Sequence, residues 1–136
     1  MPVRIRFTDN GLGVIMTGSG IVTGEEILNA NKDAYARATE PLIYQLFEGD
    51  KITGLSVSTN DLRAAADQDI AASKRMPNTI VAVHASDDLP FGLARMWDAF
   101  VQETGWKTNV FRTRSEAEAW LKEEVRAKLG VELTFN

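Results

Sequence analysis

His84 is the only histidine in the chain, and Ser86, Asp87 and Asp88 follow it almost at once. These residue types do acid–base chemistry: imidazole titrates near neutrality, and a carboxylate beside it can orient the ring. They stand at the end of the apolar run Thr79–Ala85, and open α/β sheets bind ligands outside the carboxyl ends of their strands. A small hydrolase or isomerase using His84 with Asp87 or Glu48 is therefore one reading. Neighbours along a strand point apart, however, and rarely assemble a catalytic triad. The other reading is a strand-end histidine bonded to a backbone carbonyl, with Asp87 capping the next helix. No catalytic residue is assigned on these grounds. With one histidine and no cysteine, His-rich and thiolate metal sites, cysteine nucleophiles and disulfides are excluded, and neither a metal nor a cofactor is expected.

Carboxylates gather further upstream, at Glu48, Asp50, Asp61, Asp67 and Asp69. Such groups can hold Mg²⁺ through hard oxygen ligands. A phospho-receiver domain would also need an acidic pair after its first strand, and none is there. A solvated acidic rim is the expectation, and Glu48, Asp50, His84, Ser86 and Asp87 are the candidates for ligand or partner binding. Ser56, Ser58 and Thr59 precede a helix start. A phosphate there would meet free amides and the positive end of the helix dipole, whereas Ser58 alone suffices as a plain N-cap. Gly18-Ser19-Gly20 with Gly24 lies between a strand and a helix, where a phosphate-binding loop would sit. The helix cap at Thr23 comes after the first two glycines, so an ordinary strand-to-helix turn is expected.

These residues need elements to hold them. Val3-Arg4-Ile5-Arg6-Phe7 alternates apolar and charged residues, as a half-exposed strand does. Asn10-Gly11 predicts a type I′ hairpin into a second strand, Leu12 to Thr17. Thr23 and Glu26 form a capping box for a helix running to about Ala38. Leu42–Phe47 reads as a strand, and Glu48–Ser58, with Gly49 and Gly54, as a linker. Ser58 and Asp61 offer a second capping box for a helix whose apolar stripe is mostly alanine and must pack closely or lightly. Thr79–Ala85 is apolar throughout, as in a strand buried on both faces in the middle of a sheet. A third helix starts at Asp87-Asp88 with Leu93, Met96, Trp97, Phe100 and Val101 on one face, and Gly105 ends it. Trp106–Arg112 is the fifth strand. The last helix is capped at Thr113 or Ser115, turns Ala117, Trp120, Leu121, Val125 and Leu129 inward, and stops at Gly130.

The order β-β-α-β-α-β-α-β-α predicts an α/β fold: a five-stranded mixed, mostly parallel sheet flanked by about four helices. Residues 1–136 are expected to be a single domain in which 131–136 form a tail able to add a strand or touch a partner. The aromatics Trp97, Trp106, Trp120, Phe91, Phe100 and Phe111 crowd the C-terminal half. They are expected to be core, with some lining an apolar pocket between the third and fourth helices and the sheet.

Over 136 residues the formal net charge is −4, which argues against a nucleic-acid or anionic-membrane footprint. No apolar run approaches the roughly 20 residues that cross a bilayer, and Met1-Pro2-Val3-Arg4 opens no signal peptide, so a cytoplasmic protein without membrane insertion is expected. An exposed edge strand and the tail leave room for a homodimer.

Two segments carry a resemblance. Ile15-Met16-Thr17-Gly18-Ser19-Gly20-Ile21-Val22-Thr23-Gly24-Glu25-Glu26 resembles the opening of STAS domains: strand, Gly, short loop, Thr-x-Glu, helix. Val110-Phe111-Arg112-Thr113-Arg114-Ser115-Glu116-Ala117-Glu118-Ala119-Trp120-Leu121 is similar to the close of the SpoIIAA-like (STAS-like) proteins, relatives of the anti-sigma-factor antagonists. The resemblance implies a mixed sheet flanked by helices and a non-enzymatic binding or regulatory role toward a protein partner or small ligand. It also implies a phosphorylated serine at the start of the second helix, where Ser58 lies nearest with Ser56 and Thr59 beside it. The usual Asp-Ser-Ser/Thr-Gly run is replaced by Leu55-Ser56-Val57-Ser58-Thr59-Asn60. Members of the group also resemble the lipid-carrying CRAL-TRIO fold, which keeps a carrier of an apolar or lipid-like molecule as an alternative.

Overall fold

The computed structural model describes residues 2–136. Strands β1 (Val3–Thr8), β2 (Gly13–Thr23), β3 (Tyr44–Ser56), β4 (Ile80–His84) and β5 (Lys107–Phe111) alternate, after the first pair, with helices α1 (Gly24–Arg37), α2 (Thr59–Ser73), α3 (Asp88–Phe100) and α4 (Arg114–Leu129). The strands lie in sequence order, β1-β2-β3-β4-β5, with the first pair antiparallel and the others parallel. Three successive crossovers thus step in one direction, and crossovers of one hand then place their helices on one face. Alternating side chains confirm this. Val14, Met16, Val22 and Val81 pack with Ala30, Ala34 and Tyr35 of α1 and Ala72 of α2, with Trp97 of α3 against them. Ile15, Tyr44, Leu46, Ile80 and Ala82 face the other way, onto Ala117, Leu121 and Val125 of α4. β3, not β4, is the central strand, and α3 and α4 lie on opposite faces.

Both middle strands are longer than their apolar runs. β2 continues through Gly18-Ser19-Gly20 to Thr23, and β3 takes in the stretch expected as a linker, up to Ser56. The two pair in parallel from Gly13↔Tyr44 to Thr23↔Ser56, with register shifts between Thr17 and Ser19 and between Gly20 and Ile21. The extra residue at each shift lies on β3, so Gly18 and Gly20 sit within a ladder opposite or beside bulges and do not form a loop. No phosphate-binding turn exists there.

The hairpin also departs from expectation. Its loop is Asp9–Leu12, with positive φ at Asp9 (52°), Asn10 (57°) and Gly11 (86°), in place of a two-residue turn. The reason is the Asp9 carboxylate, which accepts hydrogen bonds from Tyr44 Oη, from Thr134 N and Oγ1, and from Phe135 N. Burial works to raise its pKa, but these bonds outweigh it and hold the carboxyl below its usual range. The tail, 131–136, is therefore clasped by its own chain: Asp9 N donates to Asn136 O, and Leu133 and Phe135 are buried on the α4 face. Phe135 meets the Tyr44 ring edge-on, 5.6 Å between centroids. Gly13 permits this arrangement, since a Cβ there would lie 2.1 Å from the Tyr44 ring.

The helix ends follow the sequence closely. Both capping boxes form, Thr23 with Glu26 and Ser58 with Asp61. Thr113 caps α4 and left-handed Gly130 ends it, whereas α3 stops at Phe100 and left-handed Gly105 ends the 3-10 turn Gln102–Thr104 that follows, not α3 itself. Two expectations about the core do not hold. Leu129 is half exposed because the last turn of α4 carries it out to solvent, and α3 contains no fully buried residue.

Candidate functional site

α2 carries a buried alanine stripe, and Ala65 of that stripe stands where a longer side chain would fill the space between α2, α3 and the sheet. The result is a cavity of ≈ 130 Å³ between the β2–β4 face and helices α1, α2 and α3. Met16, Phe47, Val81 and Val83 form its floor, Ile52 and Leu55 of the β3 extension one side, and Leu62, Leu93 and Trp97 the helical wall. A dry cavity on the order of 150 Å³ accommodates one benzene ring, so this one matches a single small ring or branched chain. A shallow depression shares Ile52, Leu55 and Pro90 with it, and adds Thr53, Gly54, Asp87 and Leu89 at the surface. An apolar pocket was expected between the third and fourth helices. It lies instead under α1–α3, and of the aromatics named only Trp97 lines it.

At the cavity's inner wall is Asp69, which the sequence assigned to a solvated rim. It is 3% exposed. Its Oδ1 accepts from Asn31 Nδ2 (3.0 Å) and Tyr35 Oη (2.6 Å), and its Oδ2 accepts from Trp97 Nε1 (2.8 Å). Gln45 Nε2 donates to Tyr35 Oη at 3.1 Å and closes the network onto β3. Burial pushes the Asp69 carboxyl up, and the three hydrogen bonds offset this only in part. Burial, together with the adjacent Asp69 charge, likewise raises the Tyr35 hydroxyl. One signal in the sequence could have found Asp69: it falls at i+3 and i+4 from Ala66 and Ala65, on the apolar stripe of α2.

The residues singled out from the sequence form a separate group. In register, Glu48 pairs with His84 and His84 with Phe111. Alternation along β4 sets His84 with Ile80 and Ala82 on the α4 face, so its ring points away from the cavity, which it borders by its backbone. Ser86 Oγ donates to Asp50 Oδ1 at 3.0 Å and lies 3.4 Å from His84 Nε2. The serine proton thus goes to Asp50, not to the imidazole. His84 Nδ1 is buried with no hydrogen-bond partner among the described residues, so no carboxylate orients the ring. Glu48 is held by Arg114. Asp87 occupies the N-cap position of α3 without a side-chain bond. The structure brings together Asp50, Ser86 and His84, keeps Glu48 nearby in an ion pair, and leaves Asp87 exposed.

Ser56, Ser58 and Thr59 are all exposed at the β3–α2 junction. Ser58 Oγ accepts from Asp61 N, and Asp61 Oδ2 accepts from Ser58 N. Among the described residues, no group of three or more His, Asp or Glu could hold a metal ion, and no helix is long and apolar enough to cross a membrane.

A mixed sheet in this order, with three helices on one face and one on the other, is the SpoIIAA-like fold. No family model matches the chain, and no curated protein matches it. Among solved structures, it is similar to an uncharacterised DUF3478-family protein of Shewanella loihica PV-4 with a SpoIIAA-like fold. The match has 17% sequence identity and a TM-score of 0.50, covering 88% of this chain and 91% of that one.

Proposed function

We propose that this protein is a non-enzymatic binding module whose α1–α2–α3 cavity holds a small, mostly apolar ligand. The observation that carries this is the cavity itself: a ring-sized space lined by aliphatic and aromatic side chains, with few polar groups at one wall. The His84 cluster supports the non-catalytic part, because its hydrogen bonds run in the wrong order to activate the serine. Native mass spectrometry of the purified protein tests the reading, together with Ala65→Phe, which fills the cavity from α2. A bound small molecule that Ala65→Phe excludes is the expected result. A wild-type protein that takes up no apolar molecule, natively or on titration, refutes it. Equal profiles of wild type and His84→Ala in a broad activity screen are expected as well, and a reaction lost in the variant would make the protein an enzyme.

A second reading, recognition of a protein partner, rests on Ile21 and Leu89. They are 69% and 63% exposed, and both border Gly54, Ile21 directly and Leu89 across the surface depression. Apolar side chains grouped in the open mark contact sites. Ile21→Asp should abolish capture of such a partner, or self-association in sedimentation, while leaving the fold intact. Unchanged association would exclude this patch.

A further inference from the structure

We infer that the ligand of this cavity is a small aromatic or branched apolar amine, its ammonium group paired with Asp69. The inference rests on the cavity being the binding site. Asp69 Oδ1 accepts two hydrogen bonds and Oδ2 one, all from neutral donors: Asn31, Tyr35 and Trp97. A carboxylate offers about four lone-pair positions, so one acceptor position remains on Oδ2. Among the described residues Asp69 takes part in no ion pair; the six that form lie elsewhere, none of them in the cavity. Buried charges in proteins are normally paired, because an uncompensated one loses its hydration and gains nothing in return. Without a cation the buried carboxyl holds its proton more firmly, and a cationic ligand entering from the cavity beside Asp69 would stabilise its charged form.

Other ligand classes fit less well. A neutral hydroxyl would fill the open acceptor position but bring no charge to pair with the carboxylate form. A carboxylate or phosphate would bring a negative charge against the Asp69 carboxyl. A bare alkali cation would leave the apolar floor of Met16, Phe47 and Val81 without contact. An ammonium on a ring-sized body meets both requirements, and Trp97 lines the same cavity, where an indole adds attraction for a cation.

The test is a series of near-isosteric probes differing in charge: benzylammonium, benzyl alcohol and benzoate. Each is titrated at neutral pH into the full chain, followed by calorimetry and by the indole N–H signals in ¹⁵N-resolved NMR. The expected order is benzylammonium first, about tenfold or more tighter than benzyl alcohol, with benzoate weakest and the Trp97 indole signal moving most. In Asp69→Asn the amine should lose that advantage and bind about as the alcohol does. If this variant does not fold, the wild-type series decides alone. Benzyl alcohol binding as tightly as the amine, with the Trp97 signal shifting, overturns the inference and leaves the cavity reading standing. No binding by any of the three overturns both.

Discussion

Asp69→Asn should destabilise the protein by an amount that depends on pH in a definite direction. The asparagine carbonyl can still accept from Asn31 and Tyr35, but its amide group would face the Trp97 indole, donor against donor. Losing that bond is worth about 1–2 kcal/mol. Against this, the variant no longer buries a charge. The Asp69 carboxyl is raised in the folded protein, so the fold holds its proton more firmly than the unfolded chain does. That contribution is fully present below the unfolded value, about 3.9, and drains away as pH rises through the folded value. Each unit of elevation corresponds to about 1.4 kcal/mol. The destabilisation by Asp69→Asn should therefore be larger at pH 4 than at pH 8. Asp9, whose carboxyl is lowered, acts oppositely: its contribution is present above the unfolded value and is lost as pH falls through the folded one. It is common to both proteins and cancels from the difference. Urea unfolding followed by far-ultraviolet circular dichroism at several pH values measures the gap, where 1.5 kcal/mol moves the midpoint by about 0.5–1.5 M. A gap that stays constant from pH 4 to pH 8 would refute the reasoning.

Gly13→Ala drives a methyl group into the Tyr44 ring, which is fully buried and bonded to Asp9. A loss of about 3 kcal/mol or more is expected in thermal or urea unfolding, with the tail released as protease sensitivity near residue 131. Ser58→Ala removes one half of a capping box at an exposed helix start. It should cost about 1 kcal/mol, or about 2–5 °C in Tm, without affecting ligand uptake; a much larger loss would give Ser58 a role beyond capping.

Element order, helix ends and the mixed sheet could be read from the sequence because each has a local signature: Thr23 with Glu26, Ser58 with Asp61, glycine at 130. Strand lengths could not. Gly18, Gly20, Gly49 and Gly54 look like breaks, and only the parallel pairing of β2 with β3 shows that the ladder runs through them. The cavity was half legible, since the alanine stripe of α2 left close or light packing open without saying where a space would form. Asp69 was misplaced because a carboxylate's burial depends on Tyr35, Asn31 and Trp97, three residues brought from α1 and α3 by the tertiary fold. The His84 group was found by residue type, but its geometry turns on which face of β4 the ring occupies, and neighbours in sequence do not reveal that.

The strictly sequential strand order also bears on synthesis at the ribosome. Every strand is hydrogen-bonded to its predecessor, and α1 to α3 cover their face as the chain lengthens. The opposite face, with Ile15, Tyr44, Leu46 and Ile80, waits for α4 and the tail. Until residues 114–136 emerge, which takes on the order of 1–5 s at ordinary elongation rates, that surface has no cover. A nascent chain stalled before Arg114 should therefore be bound by chaperones, and one in which residues 114–136 have emerged should not. In this molecule the last helix sets the moment at which the chain becomes safe from aggregation.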